Sequence, residues 1–378
     1  VDWYDAWATL DGQAQKVHLF CLRSMASGGS FHRAYPHASQ QAFLEAHELA
    51  FAYFGGVFQR LRYDNLKSAV KKILRGYQRE ETERFIAFRS HWGFQSEFCN
   101  AASGHEKGGV ENEGGYFRRN HLVPLPAARN LEQLNALLYQ GCVEDEQRTL
   151  TGRAQTIGMG MTIEREQLLP LAKEGFDLAA ISQPEIDHNL CARVRTNFYS
   201  VPVPVGTRVA AKLYAAYVEF WHAGRCVARH ERCFARHQKV LDLNHYLETL
   251  RHKPGALSGS TALAQSRQQG RWPECFDRFW HLLEERQGRA AGTRAWIELL
   301  LLGRERGYAS LQKAIEKALA SGCADPGAVR YLLHDDQLIR PPAEAVDLGD
   351  LRRFDRPLPT LGAYDLLLDR TAASEVAP

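Results

Sequence analysis

Val1-Asp2-Trp3-Tyr4-Asp5-Ala6-Trp7-Ala8-Thr9, then Leu10-Asp11-Gly12-Gln13, then Val17-His18-Leu19-Phe20-Cys21-Leu22 is the stretch from which the fold is read. Its first nine residues are aromatic and extended in character, Asp11-Gly12 is a turn signal, and an apolar run follows. Residues 1–22 therefore predict a β-hairpin. A third strand over 30–35 stops at Pro36, and Ser39 then caps a helix whose Phe43, Ala46, Ala50, Tyr53 and Phe54 share one face before Gly55-Gly56 ends it. A short strand over 57–63 terminates at Asp64. After a helical stretch, 94–98 is another strand candidate, 100–105 is a small, polar loop, and 106–120 reads as a helix with Glu111 about one turn in.

Three antiparallel strands, a helix, a strand, a helical stretch, a strand and a helix is the order of a ribonuclease-H-like α/β core, a mixed five-stranded sheet with helices. Asp2 falls on its first strand, Asp64 at the end of the fourth, and Glu111 on the last helix. Strand ends in such a topology meet at one sheet edge, where open α/β sheets bind ligands. Hard Mg²⁺ ions take oxygen ligands, and a pair of them holds the attacking and leaving oxygens of an in-line displacement at phosphate. Three converging carboxylates therefore predict nucleic-acid phosphoryl transfer. Each acid also has a plainer reading from spacing alone: Asp-Asn after a strand is a turn or cap, Glu early in a helix complements the dipole, and Asp near a chain start is solvated.

The wording of the chain is more specific. Val-Asp-Trp-Tyr-Asp-Ala-Trp at 1–7, Tyr-Phe-Gly-Gly-Val at 53–57, Tyr-Asp-Asn-Leu-Lys-Ser-Ala-Val at 63–70 and Lys-Gly-Gly-Val-Glu at 107–111 are followed by Phe-Arg-Arg-Asn at 117–120 and Leu-Val-Pro at 122–124. Tyr-Ser-Val-Pro at 199–202 and His-Lys-Pro-Gly-Ala-Leu at 252–257 complete the series. Along nearly its whole length the chain resembles the IstA family of insertion-sequence transposases. The resemblance implies a DDE transposase whose Asp2, Asp64 and Glu111 bind two Mg²⁺ ions, with Mn²⁺ as substitute, for cleavage at transposon ends and strand transfer of the 3′-OH into target DNA. Lys107 matches the family's basic residue one turn before the Glu, and with Arg118 and Arg119 it is expected at DNA phosphates. The family further implies a homo-oligomeric synapse of paired transposon ends and a partner AAA+ ATPase, IstB. Because it carries DNA-binding modules upstream of the first catalytic Asp, the sequence is expected to be N-terminally truncated. Gly108-Gly109 and Gly114-Gly115 bracket Glu111, and glycine inside a helix costs about 1 kcal/mol relative to Ala, so this helix is weak by propensity.

Composition agrees without deciding. The 378 residues, 45% of them hydrophobic, allow two or three domains with real cores. A net charge of +3 requires that nucleic acid be bound by local patches rather than by a global field. No apolar run is long enough to span a bilayer, which argues against a membrane partner. Eight Cys without a Cys-x-x-Cys pair suggest reduced thiols in a cytoplasm and argue against zinc.

The chain is divided by these signals into a catalytic core at 1–120, a linker and helical bridge at 121–188, a small all-β barrel at 189–235, a helical C-terminal region at 236–339 and a flexible tail at 340–378. The bridge carries an amphipathic helix over 130–147, with Leu131, Leu134, Leu137, Leu138 and Cys142 on its apolar side. Five short strand-like runs lie between 191 and 232, with turn signals at Pro204-Val205-Gly206 and Ala223-Gly224. Within them Arg193, Arg195, Lys212, Arg225, Arg229 and Arg232 are interleaved with Tyr199, Tyr214, Tyr217 and Trp221. The expectation is a DNA-binding barrel whose basic residues, Arg193, Arg195 and Lys212 foremost, track phosphates while the aromatics fill the centre. Helices are predicted over 245–251, 273–286, 293–306, 310–320 and 326–333. In the tail, Leu361, Tyr364, Leu367 and Leu368 share one helical face, which suits a docking segment for the ATPase. Two alternatives stay open: a ribonuclease-H-like nuclease or resolvase without strand transfer, and a DNA-binding remnant whose acids have lost their geometry.

Overall fold

Asp11 and Gly12 both hold positive φ, 48° and 74°. This is the two-residue turn whose twist matches flanking strands. It joins β1 (Asp2–Leu10) to β2 (Gln13–Arg23) in unbroken antiparallel register from Asp2↔Cys21 to Leu10↔Gln13. β3 (Ser30–Tyr35) adds antiparallel to β2. Ser39 Oγ accepts the Ala42 N–H to start α1 (Gln40–Phe54), and Gly55 closes that helix in the left-handed region at φ 75°. This computed structural model describes residues 1–63, 70–73, 79–99 and 108–335, without side-chain detail at 70–73, 79–81, 108–112 and 334–335.

The fourth strand is shorter than expected. Val57 forms only an isolated bridge to Leu169, and β4 covers Arg60–Tyr63. A hairpin of β5 (Val70–Ile73) and β6 (Arg79–Glu81), absent from the sequence reading, precedes α2 (Glu83–Trp92). β7 (Gln95–Phe98) then pairs parallel with β4. α3 spans Gly108–His121, and β8 (Ala127–Ala128) runs parallel to the end of β1. The expected five-stranded sheet is thus two ladders, β3-β2-β1-β8 and β4-β7. A hydrogen bond from Val1 N to Arg62 O at 2.8 Å ties the start of β1 to the end of β4.

An aromatic core holds these layers together: Phe20, Phe43, Phe51, Tyr63, Phe85, Phe88 and Phe117 are all fully buried. α4 (Leu131–Asp145), capped by Asn130, lays Leu134, Leu138 and Cys142 into the same core. Its buried Asn135 accepts from Ala34 N at 2.7 Å and donates to Ala34 O at 3.1 Å. One amide thereby satisfies both backbone groups of Ala34, on the open edge of β3. α5 (Ile157–Arg165) adds Ile157 and Met161.

The strands expected between 191 and 232 form, but they pair as two sheets around one core. β9 (Ala180–Ser182), β12 (Ala210–Leu213), β13 (Tyr217–His222) and β14 (Arg225–Glu231) make the order β14-β13-β12-β9. β10 (Cys191–Val194), β11 (Asn197–Ser200) and β15 (Lys239–Val240) make the other. Tyr199, Val201, Val209, Val218 and Phe220 fill the space between them. α6 (Leu247–His252) and α7 (Thr261–Gln268) follow.

The chain divides after Arg271. The second unit holds α8 (Glu274–Gln287), α9 (Arg289–Arg306), α10 (Tyr308–Ala320) and α11 (Pro326–Asp335), close to the four helices expected there. Trp296 is fully buried against Trp272 and Phe276. α9 approaches α8 at Gly292, where a Cβ would stand 2.5 Å from Leu283 O. Among the described residues no helix is long and apolar enough to cross a membrane. All eight cysteines are free thiols.

Candidate active site

Asp2 opens β1 half-buried, its Oδ1 accepting the Trp3 N–H at 2.8 Å. Asp64 follows Tyr63, the last residue of β4, and lies outside the described residues, as do Lys107, the 100–105 loop and the 340–378 tail. Glu111 lies in the first turn of α3, where the backbone alone is described. Among the described residues no three His, Cys, Asp or Glu side chains gather as a metal site. The expected ligands are all carboxylates, a donor set that suits Mg²⁺ or Mn²⁺.

Backbone placement relates these positions. The Val1–Arg62 hydrogen bond puts Asp2 one residue from a point two residues before Asp64. α3 lies along β1: a Cβ on Gly114 would touch Tyr4 Cδ1 at 3.4 Å, and one turn on, Arg118 donates to Asp5 O at 2.8 Å with its guanidinium 5.4 Å from the Tyr4 ring centre. Going back along α3 from Gly114 therefore runs toward the start of β1. Glu111 is one turn back on the same side of the helix, as Asp2 is two residues back on the same face of the strand. At Gly114 the helix thus leaves room against the ring for a Cβ but not for a longer side chain. Arg118 and Arg119, both expected at DNA, are both exposed, Arg118 being also engaged with β1.

Beneath this contact, Tyr4 Oη and His32 Nδ1 share a hydrogen bond of 2.9 Å, and the His32 ring stacks on Phe117 at 3.8 Å and 17°. Burial pushes His32 down to about 3, with His121 and Arg148 adding to the effect, so the imidazole is neutral. Burial likewise raises the Tyr4 phenol. Asp5, on the opposite strand face, is exposed and meets Lys16 and His18 at 2.7 Å each. The hydrogen bond from Lys16 is the chief cause that holds its carboxyl low.

The residue that sequence reasoning passed over is Glu113. It is 3% exposed, and both its oxygens accept from Arg148 at 3.2 Å. Arg23 pairs with it at 3.2 Å, and Ser30 Oγ donates at 3.3 Å. Arg148 also lies 3.6 Å over the Tyr116 ring. Helical periodicity held the signal, since Val110, Glu113 and Phe117 follow one another at spacings of three and four.

The basic residues of the two-sheet region separate. Arg193 on β10 donates to Arg195 O across the hairpin turn, where Arg195 has φ 55°. Lys212 is on the other sheet, in register with Glu219 and through it with Arg229. The aromatics expected inside are divided: Tyr199 is buried, but Trp221 and Tyr217 share the outer face with Lys212 and Arg229, which approach their rings at 4.9 and 3.8 Å. Arg232 is turned toward α1, donating to Tyr214 O at 2.7 Å, Gln41 Oε1 at 3.1 Å and Ser39 Oγ at 3.4 Å. Burial, then the charge of Arg195, lowers its guanidinium to about 10, so it remains a cation at neutral pH. A cavity of about 380 Å³ beside Tyr217 is lined by Arg229 and Arg271 but also by Glu132, Glu231 and Asp242, a balance that does not suit phosphate.

Residues 171–242, which span both small sheets, match the family described as Mu transposase, C-terminal domain. A transposase of Aminobacter aminovorans is 30% identical over 350 residues, covering 90% of this chain and 67% of that protein. The chain belongs to the insertion-sequence transposases. The transposase for IS1326/IS1353 of Pseudomonas aeruginosa is 29% identical to it over 374 residues, 97% of this chain and 72% of the relative. That for IS21 from the same organism is 27% identical over 216 residues, 55% of each chain. Among solved structures, a simian T-cell lymphotropic virus intasome in complex with PP2A regulatory subunit B56 gamma aligns at 13% identity over 62% of this chain and 79% of that one; its TM-score of 0.31 is too low to argue from. As a transposase the chain is a DNA-processing enzyme.

Proposed function

We propose that this transposase is of the IstA type, with a ribonuclease-H-like DDE core over 1–120, a linker and helical bridge over 121–188, a DNA-binding small barrel over 189–235, and a helical region and tail beyond. Its substrates are transposon-end and target DNA. Asp2, Asp64 and Glu111 are the metal-binding carboxylates. Two bound Mg²⁺ ions supply Lewis-acid stabilisation of the phosphoryl oxygens and a lowered pKa for the attacking hydroxyl.

The chain's own residues hold DNA and orient the reacting strand. Lys107, Arg118 and Arg119 face phosphates near the carboxylates, while Arg193, Arg195 and Lys212 grip the backbone farther along. Water first attacks phosphorus at the transposon end, forming one P–O bond as the bond to the 3′ oxygen breaks. The freed 3′-OH then attacks a target phosphodiester by the same exchange, so cleavage and joining are one reaction with two nucleophiles. A homo-oligomeric synapse and an IstB-type ATPase complete the assembly in this reading.

The observation that carries the proposal is the double tie at the start of β1: Val1 N to Arg62 O at 2.8 Å on one side, and α3 laid along Tyr4 and Asp5 on the other. It ties the start of β1 to the end of β4 and to α3, the elements to which the reading assigns or adjoins its three acids, and so supports their convergence. The test is Asp64→Asn in the transposase carrying its end-binding modules, assayed with labelled transposon ends in Mg²⁺. Loss of both cleavage and joining, with DNA binding retained, is expected. Joining at the wild-type rate would refute the assignment.

A further inference from the structure

α3 is a poor helix by composition, with glycine at 108, 109, 114 and 115. Its seat must therefore be set by what it touches. Along β1 the contacts are the flat one of Gly114 on the Tyr4 ring and the exposed, long-armed one of Arg118 on Asp5 O, neither of which fixes the rotation of the helix by itself. Glu113 has no such freedom. Its carboxylate is buried, and its partners come from three separate places: Arg23 at the end of β2, Ser30 at the start of β3, and Arg148 beyond α4. Charge-assisted hydrogen bonds are directional, and a buried carboxylate that loses its cations is left uncompensated. Any roll of α3 would break this set. Arg148 holds the helix at a second point, stacking on Tyr116 three residues along.

We propose that Glu113, with Arg148 and Arg23, is a positioning clamp that fixes the rotation of α3 and thereby holds Glu111 at the metal-binding site. This rests on the DDE reading above. Positions 111 and 113, two residues apart on a helix, lie about 200° apart around its axis, so the clamp grips the side of α3 opposite position 111. Glu113 is not itself a metal ligand in this arrangement; its charge is spent on two guanidinium groups.

The experiment measures strand transfer by the full transposase as a function of Mg²⁺ concentration, for wild type, Glu113→Gln and Arg148→Met. A clamp that positions a ligand predicts a half-saturating Mg²⁺ concentration raised on the order of tenfold or more in both variants, as for other groups that orient metal ligands. Mn²⁺, with less exacting geometry, should recover much of the rate, and DNA affinity should stay at the wild-type value. An ion pair that only stabilises the fold would lower the plateau by the unfolded fraction and leave half-saturation unmoved, which would overturn the proposal. If Glu113→Gln does not fold, Arg148→Met, altered at the partly exposed arm, decides by the same shift. A wild-type enzyme without divalent-ion dependence would instead sink the DDE reading and the clamp with it, and that result is visible before any variant is compared.

Discussion

Gly114 offers a test of whether α3 must lie directly on β1. Its backbone is helical, so no left-handed conformation demands glycine, and the space alone decides. A Cβ there would stand 3.4 and 3.5 Å from two Tyr4 ring carbons, ordinary contact distances. Gly114→Ala should therefore keep the seat and gain helix propensity, leaving unfolding free energy unchanged or higher by up to about 1 kcal/mol. Gly114→Leu adds carbons where the Tyr4 ring already is. That ring cannot swing away freely, because its hydroxyl is tied to buried His32 at 2.9 Å and Arg118 lies over it. Overpacking of this kind costs about 1–3 kcal/mol, partly offset by the same propensity gain. The loss in joining should be far larger than the stability loss, since displacing a reacting group by about 1 Å costs on the order of 10²-fold in rate. Denaturant titration and Mg²⁺-dependent strand transfer measured on the same preparations separate the two effects. Wild-type joining by Gly114→Leu, or more than about 1 kcal/mol lost in Gly114→Ala, would refute the reasoning.

Two further outcomes follow from charge and burial. Arg232→Met should cost about 2 kcal/mol of stability through hydrogen bonds lost by a charged donor, and leave the salt dependence of DNA binding alone. Lys212→Ala should do the reverse, reducing the slope of log affinity against log salt by about 0.9; exchanged outcomes would show that the surface has been misassigned. The third concerns acid. His47 Nδ1–H donates to Phe43 O at 2.7 Å and its Nε2 accepts from Tyr63 Oη at 3.0 Å, and burial pushes both His47 and His32 from 6.5 down to about 3. Because the folded values are lowered, each contributes stability that is complete above about 6.5 and drains as pH falls toward 3, at about 1.4 kcal/mol per pH unit. His47→Gln should lower stability at neutral pH yet flatten its pH slope between pH 6 and 4 by one proton's worth, read by urea titration. A slope equal to wild type's would show that His47 is charged in the fold.

Much of the architecture was legible because it is local. Asp11-Gly12 and Ala223-Gly224 adopt the positive φ values that tight hairpins require, and Ser39 caps the helix that its position announces. What was not legible depends on distant partners. Helical spacing puts Glu113 on the face of Phe117, but the partners that make a buried glutamate tenable are far off, Ser30 across 83 residues and Arg148 across 35. Arg232 finds Gln41 and Ser39 across 191 and 193 residues, so among basic neighbours it reads as another surface cation. The misplaced aromatics are a different case. Along β13, Val218 and Phe220 are buried while Tyr217, Glu219 and Trp221 between them are not. A strand whose even positions are its most apolar must turn its odd positions out, and Glu219 among them marks that face as the wet one. Strand parity thus already put Tyr217 and Trp221 beside Lys212 and Arg229, and only the habit of assigning aromatics to cores hid it.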